Sequence, residues 1–396
     1  MTVICLWYVT EPYDKTIGIL DRLLVALYYL FVLVIIVKHW KKLLYFLTKD
    51  KILLLFLLLP LASVLWSTMP EVSQSRFIRV VLRSTIFGLY LASRYSLKDL
   101  MRLITIALGV SLIINTAAAL ALPTGKTDGA WKGVLGHKNS FGRLMAWTTA
   151  HFATLFLYEQ KYRRLCLIVF GLAAVGLYFS QAKSSLAICV GALALLPLYR
   201  SFCQAYRTKT LLISVSLFIA ILLISWVSDN VEYIIVDVLG KSLTLNGRVQ
   251  IWEYFYSRIA TRPWLGFGYE AFWNNPEELL KAQQNLPWFS GHAHSGFIDL
   301  TLQLGILGFS MFVISVLVTI TRVIYLTTVT RSIEHFLMLL FLVVWFSSQS
   351  TVGISILKDN IFWILYVTIS TLTAVEMSRV RRNQRIESSQ VLTPAS

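Results

Sequence analysis

Apolar residues in this chain come in runs close to the ~20 residues that cross a bilayer as a helix, separated by short polar breaks. The runs predict about eleven helical spans, at residues 17–37, 52–67, 75–93, 103–121, 140–158, 165–180, 186–199, 210–228, 296–320, 336–352 and 361–377. A transmembrane barrel would instead show short segments alternating with a period of two. The pattern therefore predicts an all-α, polytopic integral membrane protein of about 11–12 transmembrane helices. One stretch departs from it. Residues 229–295 are largely polar and form one long loop between late spans. The expected organisation is membrane helices in 1–228, the loop in 229–295, further membrane helices in 296–378 and a tail in 379–396.

Composition agrees with this pattern. The chain has 396 residues, 57% of them hydrophobic, and a mean hydropathy of +0.67. Residues 1–10 are apolar but too short to span, and no removable signal peptide is expected there. The net charge of +16 would suggest a nucleic-acid partner in a soluble protein. Here its distribution excludes that reading. Lys38, Lys41, Lys42, Lys49 and Lys51 fall between two spans, and further basic groups fall in alternate connections and in the tail Arg379–Arg385. The positive-inside rule makes that side cytoplasmic, and the charge suits anionic membrane lipid. The long loop carries five basic and seven acidic residues, so it escapes the bias, as an external loop should. The N-terminus is then expected outside and the C-terminus inside, with disorder after Arg385. Four scattered cysteines, Cys5, Cys166, Cys189 and Cys203, show neither CxxC nor metal spacing, so buried or lipid-facing thiols are expected.

Candidate chemistry lies at the outer ends of the spans and in the loop. Arg76, Arg79 and Arg83 fall at i, i+3 and i+7, one helical face. An arginine within a span costs on the order of 3 kcal/mol, so it faces a polar partner or the bundle interior. Guanidinium suits a phosphate or diphosphate by bidentate geometry, although snorkelling or a structural ion pair would also explain this face. His137, Lys138 and Asn139 follow Gly133 and Gly136 at the start of a span, where helix N-terminal amides and cations can bind an anion. A simple turn leading into the membrane is the alternative there. Lys183 lies in a polar break, Ser180–Ser185, either as a phosphate ligand or as an ordinary loop lysine.

In the loop, Arg248 follows Asn246-Gly247 and precedes Trp252 on an expected helix, 248–259. Arg258 and Arg262 come before Pro263, and Gly266-Phe267-Gly268 marks a tight turn. His292 and His294 would point apart on a helix and to one side on a strand. Their spacing also fits a metal pair, but the nearby acids are only Asp299 and the distant Glu270. A single histidine serves as a general base because its pKa lies near working pH. Trp252, Trp264, Trp273, Trp288, Tyr254 and Tyr269 suit sugar stacking, or an interfacial aromatic belt.

At these residues the chain resembles the bacterial O-antigen ligase and polysaccharide polymerase superfamily, the Wzy/WaaL type. The matching features are Leu65-Trp66-Ser67 with Pro70 and the Arg-bearing third span; Gly136-His137-Lys138-Asn139 with Gly142; Ser180 with Lys183; Gly247-Arg248 with Trp252; Pro263, Gly266 and Gly268; and His294 followed by Gly305 and Gly308. The resemblance implies a metal-independent glycosyltransferase without cofactor, working at the periplasmic face of the bacterial inner membrane. Its donor would be an oligosaccharide on undecaprenyl diphosphate. His294 and Arg248 would be the catalytic pair, His294 activating an acceptor hydroxyl and Arg248 holding the diphosphate. Arg79, Arg83, His137, Lys138, Asn139, Lys183, Arg262 and His292 would bind diphosphate or glycan. Lys183 stands where many relatives have arginine, and Ser295 where they often have asparagine.

The His-Lys-Asn motif in its glycine setting looks more like exopolysaccharide-type polymerases, which would extend lipid-linked repeats into O-antigen, capsule or exopolysaccharide with a chain-length regulator as a further partner. A ligase, transferring the glycan to lipid A-core, is the alternative, with transfer to protein a third. A lipid-linked sugar transporter or flippase would be expected to show repeat symmetry, which this sequence lacks. A peptidoglycan polymerase of similar topology would need an acidic catalytic candidate, and none stands out in the loop.

Overall fold

A computed structural model describes residues 19–204, 247–286, 291–350 and 356–391. The expected span 210–228 and Trp288 lie outside the described residues. Those described are helical apart from connections and one two-stranded hairpin, β1 (Lys126–Thr127) and β2 (Ala130–Trp131). The helices are α1 (Ile19–Lys49), α2 (Lys51–Ala62), α3 (Pro70–Arg76), α4 (Arg83–Arg94), α5 (Leu97–Ala121), α6 (Lys138–Tyr158), α7 (Arg163–Phe179), α8 (Lys183–Ala194) and α9 (Leu196–Phe202). After the undescribed segment come α10 (Arg248–Thr261), α11 (Ala271–Asn274), α12 (Pro276–Asn285), α13 (Gly296–Thr330), α14 (Ile333–Ser348) and α15 (Ile361–Val391). This is the expected all-α polytopic architecture. Among the described residues four stretches are long and apolar enough to cross a membrane, Leu97–Ala121, Lys183–Phe202, Gly296–Thr330 and Ile361–Gln384, while Lys51–Leu65 and Ile333–Ser348 are apolar but shorter.

Local chemistry fixes the helix ends. Asp50 caps α2 by accepting from Leu53 N at 3.2 Å. The same buried carboxylate takes Arg322 at 2.6 Å and the Ser370 hydroxyl at 2.5 Å, which ties α2, α13 and α15 together. A charge this deep is tolerated because every acceptor lobe is engaged. The main core draws on most of the helices and includes α13, α14 and α15, where Trp345 lies against Tyr366 at 4.6 Å and Phe341 stacks on Phe362 at 6.1 Å.

The third expected span is not one regular helix. A π-helical segment, Phe77–Leu82, separates α3 from α4. The 3.6-residue period that would align Arg76, Arg79 and Arg83 does not hold across it, so the shared arginine face is corrected. The tail is corrected as well: α15 stays helical to Val391, past Arg385, where disorder was expected.

The expected span 296–320 is two pieces. Gly305, at φ 66° and ψ −171°, breaks α13 into Gly296–Leu304 and Ile306–Thr330. The first piece belongs to the loop: Ile298 and Leu302 pack with Ile251, Phe255, Phe267 and Phe272 in a second, smaller core. The backbone groups freed by the break are paired with the segment after α10. Phe267 N donates to Leu302 O and Gly268 N to Gln303 O, both at 2.9 Å. Ile306 N donates to Pro263 O at 2.8 Å and Leu307 N to Trp264 O at 3.2 Å. Gly266-Phe267-Gly268 is thus a joint to a broken helix rather than a simple turn. A Cβ on Gly305 would sit 2.2 Å from Trp264 O, and one on Gly268 would sit 2.4 Å from Ser67 Oγ.

Candidate active site

Two pieces of chain converge on one group of basic side chains, and a third packs beside the first of them. The first is the start of α6. Its approach follows the hairpin, and the connection between them is held to α5 by Asn115: the amide oxygen accepts from Val134 N at 3.2 Å. Trp131 stacks on Phe179 of α7 at 4.8 Å. His137 is the N-cap of α6, its Nδ1 accepting from Asn139 N at 3.1 Å. In the neutral ring this puts the proton on Nε2. Lys138 and Asn139 open the helix.

The piece beside it is the Ser180–Ser185 break, which packs on the same helix. A Cβ on Gly142 would lie 2.5 Å from Ala182 Cβ and 3.1 Å from Ser180 Oγ, so only glycine admits this approach. Lys183 is exposed at the first position of α8, directly after that contact.

The loop supplies the other converging piece. Gly247, at φ 82°, turns the chain into α10, and half-buried Arg248 is its first residue. One turn on, Trp252 donates its indole N–H to Ala293 O at 3.0 Å. Ala293 is fully buried, and its N–H reaches Asp299 Oδ1 at 3.4 Å. The alanine is therefore gripped on both sides while the histidines flanking it point out of the loop core. His294 takes a left-handed conformation, φ 53°, and Ser295 then caps α13. The two imidazole centroids are 4.1 Å apart. The segment is neither helix nor strand, and the bend at His294 brings the rings together.

The electrostatics identify the group. Burial, then the charges of His292, Arg248 and His137, push the His294 pKa from 6.5 down to about 4. The His137 pKa is lowered by burial and then by Lys138, His292, Arg248 and Lys132. Burial lowers the Arg248 pKa too. His137, His292, His294, Arg248, Lys138 and Lys132 thus share one electropositive region, which disfavours its own protonation and favours an anion. The expectation that His294 titrates near working pH is corrected: in this environment its ring is neutral well below neutral pH.

Other candidates have different settings. Arg83 makes an ion pair with Asp359, in the connection before α15, which favours the structural alternative. Arg79 is exposed and bonds to Ser75, four residues back in α3. Arg262 ends α10 and lies over the Phe267 ring at 5.2 Å, at the joint. Arg258 is held by Glu278 in a bidentate pair, with Nε to Oε2 at 3.0 Å. The loop aromatics are mostly structural. Trp252, Tyr254 and Trp273 pack on the second core. Tyr269 is buried and donates to Leu357 O at 2.6 Å. Lys132 and the Ala293–Asp299 contact are additions that sequence reasoning missed. For Trp252 a signal existed, since it lies four residues after Arg248 and so on the same helical face. Among the described residues, no group of three or more His, Cys, Asp or Glu is arranged to hold a metal ion.

A family model described as O-antigen ligase matches residues 168–313. This stretch contains Lys183, Arg248, Arg262, His292, His294 and Gly305, but not His137 or Arg83. The exopolysaccharide production protein ExoQ of Rhizobium meliloti (strain 1021) is 26% identical over 148 residues, 35% of this chain and 33% of the relative. The match thus spans about a third of that relative's length. Over these stretches the chain is similar to the O-antigen ligase family and to an exopolysaccharide production protein, in line with the resemblance read from the sequence.

Proposed function

We propose that this membrane protein is a glycosyltransferase that polymerises oligosaccharide repeats carried on a lipid diphosphate, undecaprenyl diphosphate in the bacterial inner membrane, at the periplasmic face. The observation that carries the reading is the clustering of His137, His292, His294 and Arg248, drawn from the start of a span and from two ends of the loop, with Lys138 and Lys132 beside them. Such a region suits a group that gains negative charge as it departs.

In this reading the acceptor hydroxyl gives its proton to the neutral His294 ring while its oxygen bonds to the anomeric carbon of the donor. The bond from that carbon to the diphosphate oxygen breaks, and the electron pair leaves with the lipid diphosphate. Arg248, Lys138 and the other histidines offset the added charge. Arg79 and Arg262 contribute less directly, and Lys183 lies beside α6 as a further cation. The relative is named as an exopolysaccharide production protein, which is compatible with assembly of a polysaccharide from repeats. The family description favours a ligase, in which lipid A-core replaces the growing glycan as acceptor.

The test is purified protein in lipid with a defined diphosphate-linked repeat, with and without a core acceptor. Polymer is expected without core acceptor, and Arg248→Ala and His294→Ala should each abolish it while the protein still inserts. Near-normal product from both variants would sink the assignment. Transfer only to the core acceptor would make the protein a ligase.

A further inference from the structure

The joint at the helix break exposes an apolar surface that the site chemistry does not use. Leu65 is 88% exposed and Trp264 69%, and Leu265, Ile306 and Leu307 are exposed beside them. They form one patch. Leu307 N bonds to Trp264 O, and the Trp66 indole donates to Leu265 O at 2.9 Å, with Leu65 next in the chain. Two further observations say what covers it. The patch runs into the side of the span Ile306–Thr330. Ile314 lies seven residues after Leu307, and Leu317 eleven after Ile306, so all four share a helical face, and Ile314 and Leu317 are exposed too. In addition, the non-helical backbone of the joint is paired through the four cross-bonds from Phe267, Gly268, Ile306 and Leu307. Irregular backbone survives at membrane depth only when its polar groups are satisfied within the protein.

We propose that the Trp264–Leu265 joint is seated in bilayer lipid, its apolar side chains among the acyl chains at the hydrocarbon edge on the loop's side of the membrane. Trp264 is the residue type that settles at such an edge. Arg262, exposed next to it, can lie with its stem on the apolar surface and its guanidinium among the headgroups. The segment Ile306–Thr330 alone, at 1.5 Å per residue, is long enough for the ~30 Å hydrocarbon core, so the break needs no missing length of span. The short helix 296–304 is about 13 Å long, so His294, two residues before it, stands at most about 20 Å from the seat. This carries the basic cluster into, or just above, the headgroup layer.

The seat is tested without any assay of activity. Cys5, Cys166, Cys189 and Cys203 are replaced by alanine, and a nitroxide is attached after Trp264→Cys or Leu265→Cys in phosphatidylcholine–phosphatidylglycerol nanodiscs. Leu317→Cys serves as the lipid reference and Lys281→Cys as the water reference. Oxygen should collide with both joint labels as with the Leu317 label, and a water-soluble nickel complex should not. Nickel access equal to that at Lys281 overturns the proposal. Exclusion of both reagents also overturns it, because a protein surface such as a second copy would then be the cover. The otherwise native chain gives a second measurement: brominated phosphatidylcholine should quench wild-type tryptophan fluorescence more than that of Trp264→Phe. Equal quenching in the two proteins counts against the seat.

Discussion

The indole N–H of Trp252 donates to the carbonyl of Ala293 at 3.0 Å, tying the helix that begins with Arg248 to the residue between His292 and His294. The pair fixes the arginine and both histidines relative to one another, although Trp252 itself faces the loop core. Trp252→Phe keeps an aromatic side chain, a smaller one, and removes the donor. The stranded carbonyl costs about 1–3 kcal/mol, read as a lower Tm. Turnover should fall at least tenfold with a smaller change in KM. Unchanged turnover with a lowered Tm would mean that the bond serves folding alone.

The low His294 pKa gives a pH prediction with a definite sign. A base works when neutral, and burial together with His292, Arg248 and His137 keeps this ring neutral down to about pH 4. The acid limb of kcat/KM that belongs to His294 should therefore lie near 4, not near 6.5. A bound diphosphate adds negative charge and raises the pKa, so the limb in kcat should lie higher. Arg248→Gln removes a cation and should raise the His294 pKa in the substrate-free protein, measured by NMR on labelled histidine. A value that falls, or does not move, contradicts this placement of Arg248.

Arg83 separates a structural role from a ligand role. Its ion pair with Asp359 is mostly buried, and breaking such pairs costs about 3–5 kcal/mol when fully buried. Arg83→Gln and Asp359→Asn should lower stability by similar amounts, each by about 2–3 kcal/mol, read as a lower Tm. If Asp359→Asn leaves Tm unchanged while Arg83→Gln weakens donor binding, Arg83 is a substrate ligand after all.

The joint depends on Gly305. Its backbone lies in a region that essentially only glycine occupies, at a cost of order 1–3 kcal/mol for other residues, and a Cβ would meet Trp264 O at 2.2 Å. Gly305→Ala should expose the 262–268 segment to limited proteolysis and reduce activity with His294 and Arg248 intact. Wild-type protection from protease would show that the break tolerates a side chain.

The sequence by itself determined the membrane class, because hydrophobic run length is a local quantity that the bilayer thickness makes decisive. It also singled out the long loop and the basic residues within it, since charge among apolar runs stands out without any knowledge of contacts. It did not determine which cations meet. Arg83 and Arg248 look alike in one dimension, yet Asp359, 276 residues away, takes the first, and two histidine-bearing segments surround the second. Nor could it show that Gly305 breaks a continuous apolar run, because the compensating partners, Pro263 and Trp264, lie some forty residues earlier. Those decisions rest on long-range hydrogen bonds and ion pairs, which exist only once the spans are packed. Through them the tertiary structure set a neutral histidine of the polar loop beside an arginine.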